Sequence, residues 1–177
     1  MKTLILAGGK GTRFSEETKT KPKPLILVNE EPMLLHIINH YRHYELRDFV
    51  ILGGYKYEMI NDYFDEKAES ISSGEYKYKD SKIRVLNTGE ETMTGGRLKR
   101  IEDYVRGETF CLTYGDGVSD VNISKLIKQH KKNKTEALTI KSGRKGPQTK
   151  NGIIELKTKL IKIVFEYFKL IIIYFIH

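Results

Sequence analysis

Lys2-Thr3-Leu4-Ile5-Leu6-Ala7-Gly8-Gly9-Lys10-Gly11-Thr12-Arg13 is the stretch on which the fold of this chain turns. Its apolar run, Thr3 to Leu6, suits a buried first strand and is too short for a signal peptide. Glycines at 8, 9 and 11 follow at once. Without Cβ atoms the backbone can turn sharply there and lie close against another group. Exposed N–H groups in such a turn form a concavity for anions. Arg13 adds a planar, permanently charged fork suited to phosphate oxygens, and Thr12 adds a hydroxyl. The segment from Leu6 to Lys23 therefore reads as a site for a nucleoside triphosphate. It is neither of two common phosphate loops: no Gly-Lys-Ser/Thr follows a spacer, and the glycines do not fit G-x-G-x-x-G. A turn that merely reverses the chain is the alternative.

Outward from this turn, apolar runs alternate with helical spacing. Met33, Leu34, Ile37, Ile38 and Tyr41 recur at three and four, predicting a helix over 32–44 with Pro32 in its first turn. Phe49 to Leu52 reads as a strand closed by Gly53-Gly54, and Tyr55 to Phe64 as a helix. Lys67 to Ser81 is poor in apolar residues and reads as a loop. Ile83 to Leu86 and Thr109 to Thr113 read as strands with a short helix near 98–105 between them. Ile123 to Lys132 reads as a helix, and Ala137 to Ile140 as a strand. This order predicts a parallel sheet covered by helices on both faces, with ligands beyond the strand carboxyl ends. The loops after Leu6 and Thr113 both leave from such ends and are expected to meet.

Three further motifs carry chemistry. In Lys21-Pro22-Lys23-Pro24 two prolines stiffen the backbone and hold a lysine at a set distance from the turn. Thr92-Met93-Thr94-Gly95-Gly96-Arg97 combines hydroxyls, glycines and an arginine, and on its own would pass for a helix entry. In Tyr114-Gly115-Asp116-Gly117 an aspartate at a strand end is placed to hold a hard divalent cation through oxygen, or simply to make a turn. His36, His40 and His43 share a helix face, but without carboxylates or thiols at ligand spacing a structural role is favoured.

Composition narrows the class. With 177 residues, 39% hydrophobic and 31% charged, the chain suits a globular domain and not a disordered one. The net charge is +8, and nine Lys/Arg fall between Lys125 and Lys150. No aromatic residue interleaves that run, so a solvated face is favoured and no nucleic-acid partner is expected. Cys111 is the one cysteine, in an apolar run that favours burial. A single cysteine fits a reducing, cytoplasmic setting.

Taken together, Leu6–Arg13, Lys21–Pro24, Thr92–Arg100 and Phe110–Gly117 resemble the sugar-1-phosphate nucleotidyltransferases, and within them the glucose-1-phosphate cytidylyltransferases. The resemblance covers residues 1 to about 140. It implies an α/β fold with a Rossmann-like, mostly parallel sheet flanked by helices, of the nucleotide-diphospho-sugar transferase type and incomplete at the C-terminus. It implies CTP and a sugar 1-phosphate as partners and Mg²⁺ as cofactor. The reaction would give CDP-glucose and pyrophosphate by in-line attack on the α-phosphorus, which asks the protein for alignment and charge neutralisation; the alternatives are a truncated nucleotide-binding remnant without activity, or a related sugar-1-phosphate nucleotidyltransferase using another nucleoside triphosphate. The nucleotide-binding set is then Leu6, Ala7, Gly8, Gly9, Lys10, Gly11, Thr12, Arg13, Lys23, Thr92, Arg97 and Asp116. Arg13 and Lys23 are the catalytic cations and Asp116 the metal ligand. Such enzymes commonly assemble, so a homo-oligomer is a further expectation.

Beyond about residue 140 the resemblance fades. The family's later sugar-binding segment, with its phosphate-binding lysine and second metal aspartate, is not identifiable. The segment 157–177 reads instead as an aberrant apolar tail after a nucleotidyltransferase portion at 1–156. Its Ile, Phe, Tyr and Lys are residues of A/T-rich codons, which predicts a frameshift or premature stop near residue 160. Lys162, Glu166 and Lys169 interrupt any membrane anchor there, so no membrane partner is expected; an out-of-frame segment or a buried strand is favoured.

Overall fold

The computed structural model describes residues 1–10, 20–133, 137–141, 153–156 and 170–175. In chain order the strands and helices are β1 (Lys2–Ala7), β2 (Leu27–Val28), β3 (Glu31–Pro32), α1 (Met33–His43), β4 (Asp48–Gly53), α2 (Tyr57–Lys67), β5 (Glu69–Ser72), β6 (Glu75–Tyr78), β7 (Ser81–Asn87), α3 (Thr94–Arg100), α4 (Glu102–Val105), β8 (Thr109–Tyr114), α5 (Ile123–Asn133), β9 (Ala137–Lys141), β10 (Ile153–Leu156) and β11 (Leu170–Phe175). A 3₁₀ turn at Lys23–Leu25 precedes β2.

The main sheet has the order β10-β9-β11-β8-β1-β4-β7-β6-β5. At its centre β1 runs parallel to both β4 and β8, and β4 parallel to β7. The chain steps outward from β1 to β4 and β7, then returns to the other side of β1 for β8. That reversal leaves a crevice beyond the carboxyl ends of β1 and β8, where open α/β sheets place their ligands. The parallel α/β core matches the expectation, and both flanks are antiparallel.

Alternation along the central strands fills both faces. Ile5, Phe49, Ile51, Ile83, Val85 and Cys111 pack with Leu34, Ile38 and Tyr41 of α1, Ile60 and Phe64 of α2, and Ile123 and Leu126 of α5. Leu4, Leu6, Val50, Leu52, Phe110 and Leu112 pack with Ile101 and Val105 on the opposite face. These strands are buried on both sides, so their sequences read as unbroken apolar runs.

Three expectations are corrected or extended. Residues 67–81 are not a loop: β5 and β6 form a hairpin that extends the sheet through β7. Tyr76 is buried and stacks on Phe64, and Glu75-Tyr76-Lys77-Tyr78 alternates at the strand period. Gly74, at φ +72°, makes the turn, and a Cβ there would lie 2.9 Å from the Val85 carbonyl. The helix expected near 98–105 is two helices, α3 and α4, and it begins earlier, at Thr94. The segment 170–175, set apart in sequence as part of a tail, pairs antiparallel with β8 and β9 inside the sheet.

Other features settle into structural roles. His36 Nε2–H donates to the Val28 carbonyl at 2.7 Å and His40 Nε2–H to the Val121 carbonyl at 3.0 Å. Among the described residues no group of three or more potential ligands could hold a metal. Cys111 is fully buried, and burial pushes its thiol up to about 12, far from nucleophilic. Lys125, Lys128, Lys131 and Lys132 are exposed on α5 while Ile123, Leu126 and His130 are buried. The parts of the basic run at 134–136 and 142–150 lie outside the described residues. No helix among the described residues is long and apolar enough to cross a membrane.

Candidate nucleotide-binding site

A cavity of about 310 Å³ opens beyond the carboxyl ends of β1 and β8. One wall is Leu6, Ala7, Gly8 and Gly9, where β1 gives way to the glycine turn. A second part of the lining is Thr92, Met93, Thr94 and Arg97, at the start of α3. Lys23 and Pro24 adjoin Tyr114, Gly115 and Asp116 in the rest of the lining. All four sequence motifs therefore converge here, though 93 positions separate Lys23 from Asp116.

The convergence has local causes. Gly115 N–H donates to the Leu6 carbonyl at 2.9 Å, extending the β1–β8 pairing by one step and delivering Asp116 to the cavity edge. A Cβ on Gly115 would lie 3.1 Å from both that carbonyl and Pro24 Cγ, so the small residue lets three segments approach. Pro22 is extended and Pro24 is buried in the 3₁₀ turn. Lys23 is thereby aimed at Asp116, with Nζ 3.4 Å from Oδ2 and both side chains about four-fifths buried. A lysine and a carboxylate side by side at a partly dry edge can separate to meet an anion and a cation respectively.

Arg97 is 5% exposed. Its Nη1 donates to the Gly53 carbonyl (3.0 Å), Thr88 Oγ1 (2.7 Å) and the Gly89 carbonyl (2.7 Å). Its Nη2 donates to the carbonyls of Gly8 (2.9 Å) and Glu90 (3.2 Å). A Cβ on Gly8 or on Gly54 would overlap the guanidinium. The bare Cα of Gly8 thus makes room for Arg97, while no described residue would lie within 4 Å of a Cβ on Gly9. Burial, and then the neighbouring Arg100, push the Arg97 guanidinium below its ordinary value, but arginine stays charged at neutral pH.

Lys10 is exposed and is not among the residues lining the cavity. It pairs with Glu91 and, at 3.6 Å, with Glu90. Glu91 holds the Lys10 ammonium above its ordinary range. Gly11, Thr12 and Arg13 fall outside the described residues. The sequence reading did not single out Gly53, Gly54, Thr88, Glu90 or Glu91. Gly53-Gly54 was legible only as the end of a strand, and the backbone acceptors leave no trace in residue identity.

Asp116 suits the implied Mg²⁺. It presents a hard oxygen donor at the cavity edge, and magnesium beside a nucleotide is usually held by one or two carboxylates together with phosphate oxygens.

Comparison with known proteins identifies the family. A family model described as Nucleotidyl transferase matches residues 2–166, and the chain belongs to that family. It is 43% identical over 141 residues to a Bacillus subtilis (strain 168) protein named "Probable glucose-1-phosphate cytidylyltransferase", covering 73% of this chain and 56% of that one. It is 40% identical over 162 residues to the glucose-1-phosphate cytidylyltransferase of Salmonella typhimurium, covering 82% and 63%. The chain thus spans about three-fifths of the length of these relatives. Among solved structures, UDP-glucose pyrophosphorylase complexed with UDP-glucose superposes with a TM-score of 0.64 at 15% identity, covering 98% of this chain and 75% of that one. At that identity the likeness shows the fold alone.

Proposed function

We propose that this chain binds CTP in the cavity between β1 and β8 and transfers its cytidylyl group to glucose 1-phosphate. The observation that carries the reading is the meeting of Lys23 and Asp116 beside Gly8 and Gly9 at the topological switch of the sheet. Relatives at 40–43% identity that carry the cytidylyltransferase name support cytidine as the base and glucose 1-phosphate as the acceptor.

The roles follow from charge and placement. N–H groups of the turn at 8–12 would receive the triphosphate. Arg13 would neutralise the departing pyrophosphate, and Lys23 the phosphates at the reacting centre. Asp116 would hold Mg²⁺, which when bound draws charge from the phosphate oxygens. Thr92 and Arg97 lie on the wall toward which the nucleoside would extend. The sugar phosphate oxygen attacks the α-phosphorus as pyrophosphate leaves, and the protein aligns the two anions.

A second reading is nucleotide binding without sugar transfer. Among the described residues Asp116 is the one carboxylate lining the cavity, and this favours a site built for nucleotide more than for a complete two-substrate reaction. Pyrophosphate release with Mg²⁺, glucose 1-phosphate and each of CTP, UTP, GTP and dTTP separates the readings. Turnover preferring CTP supports transfer. Binding of CTP with no release of pyrophosphate supports the second reading, and no binding of any nucleotide overturns both. If transfer occurs, Lys23→Ala and Asp116→Asn should each lower kcat/KM by roughly 10²–10³-fold, the scale of a lost transition-state electrostatic contact.

A further inference from the structure

The guanidinium of Arg97 lies between two residues without side chains, Gly8 and Gly54. Its two terminal nitrogens reach five oxygens on three segments: Gly8 after β1, Gly53 at the end of β4, and Thr88, Gly89 and Glu90 after β7. These segments lead into two parts of the cavity lining. The Gly8–Gly9 wall follows β1, and the Thr92–Thr94 wall follows the loop after β7. Every acceptor is neutral, and among the described residues no carboxylate pairs with Arg97. A buried cation held by neutral oxygens is worth its desolvation where it fixes geometry and where an anion is to sit nearby.

We propose that Arg97 is a positioning residue for the nucleotide. It ties the ends of β1, β4 and β7 into one rigid unit and so sets the separation of the cavity walls. The inference rests on the nucleotide reading above. Only arginine meets this geometry: its planar fork sends donors in two directions within one plane, and that plane fits a slot between two glycines. A lysine ammonium keeps the charge but donates from a single point.

Gly54 is not among the cavity-lining residues, so Gly54→Ala acts on the site only through Arg97, whose own charge and side chain it keeps. Thr88→Val, nearly isosteric, removes one of the five acceptors and the hydroxyl's own bond to the Gly53 carbonyl, and serves as the milder variant. The test is CTP affinity by calorimetry with Mg²⁺ in the wild-type chain, Arg97→Lys, Gly54→Ala and Thr88→Val, together with amide exchange. Tyr55 N–H donates to the Gly8 carbonyl at 3.3 Å and Thr88 N–H to the Gly53 carbonyl at 2.9 Å, the same oxygens Arg97 uses. These two amides should exchange faster in all three variants. CTP affinity should fall roughly 10- to 100-fold in Arg97→Lys and Gly54→Ala, the scale of a charged hydrogen-bond set, and less in Thr88→Val. A merely structural role would lower the melting temperature and leave the affinity of the folded protein unchanged, and that result overturns the inference. So does unchanged exchange at Tyr55 and Thr88. If the wild-type chain binds no CTP, the nucleotide reading falls and this inference with it. If the wild type binds and the variants bind equally well, the inference falls alone.

Discussion

Gly8 shows how one residue type serves two masters. In sequence its bare Cα suggests close approach to a ligand, and in the fold that space is taken by Arg97. Gly8→Ala should therefore damage the site from behind, by displacing the guanidinium, and CTP binding should weaken as it does in Gly54→Ala. His130 is a second residue whose role is set by its surroundings. It is 4% exposed, and its Nδ1 is buried without a hydrogen-bond partner among the described residues. Burial, then Lys131, push its imidazole below the ordinary range. The folded state thus favours neutral His130 while the unfolded chain takes up a proton near pH ~6.5. Its contribution is full above that pH and is lost as pH falls. His130→Leu should accordingly gain stability relative to the wild type between pH 7 and pH 5, read as the difference in melting temperature. An unchanged difference across that range would show that His130 does not titrate in folding.

At the level of elements, α3 holds two glycines with opposite constraints. Among the described residues a Cβ on Gly95 meets nothing within 4 Å, whereas one on Gly96 would lie 2.9 Å from Thr92 Cγ2. Glycine within a helix costs about 0.5–1 kcal/mol relative to alanine. Gly95→Ala should thus stabilise the chain by about that amount in denaturant unfolding. Gly96→Ala should gain less or destabilise, because it pushes on the Thr92 wall of the cavity. The β5–β6 hairpin is the element whose sequence looked least structured. Its anchor is Tyr76 against Phe64, both buried, so Phe64→Ala should cost about 3–5 kcal/mol, the scale for a buried aromatic. Read for polarity, 67–81 resembles a loop. Read for alternation, Tyr76 and Tyr78 mark a strand whose burial depends on α2, an element that local composition does not include.

For the whole molecule, Asp80 links three parts of the chain. Its carboxylate accepts from Arg42 on α1 and from Arg47 before β4, and it sits in the turn between β6 and β7. Arg42 first, and then Arg47, hold the Asp80 carboxyl well below its usual range. The unfolded carboxyl protonates near pH ~3.9. The stabilisation is thus present above that value and is lost as pH falls toward the lower folded value. Asp80→Asn should lower the melting temperature at pH 7, and the gap to the wild type should narrow below about pH 4. An equal gap at both pH values would show that the carboxylate charge is not what ties these parts together. The Asp80 carboxylate is about half exposed, so high salt should narrow the gap as well.

The apolar runs, the helical spacing of 33–41 and the order of strands and helices are properties of consecutive residues. The sequence alone therefore determined the parallel α/β core and the four motifs that line the cavity. Which motifs face each other was decided in three dimensions. Lys23 meets Asp116 only because the chain reverses direction across β1, and a strand's sequence does not state its neighbour. The partners of Arg97 are further from sequence still. Four of its five acceptors are backbone carbonyls, which every residue carries, so only the tertiary structure could select them.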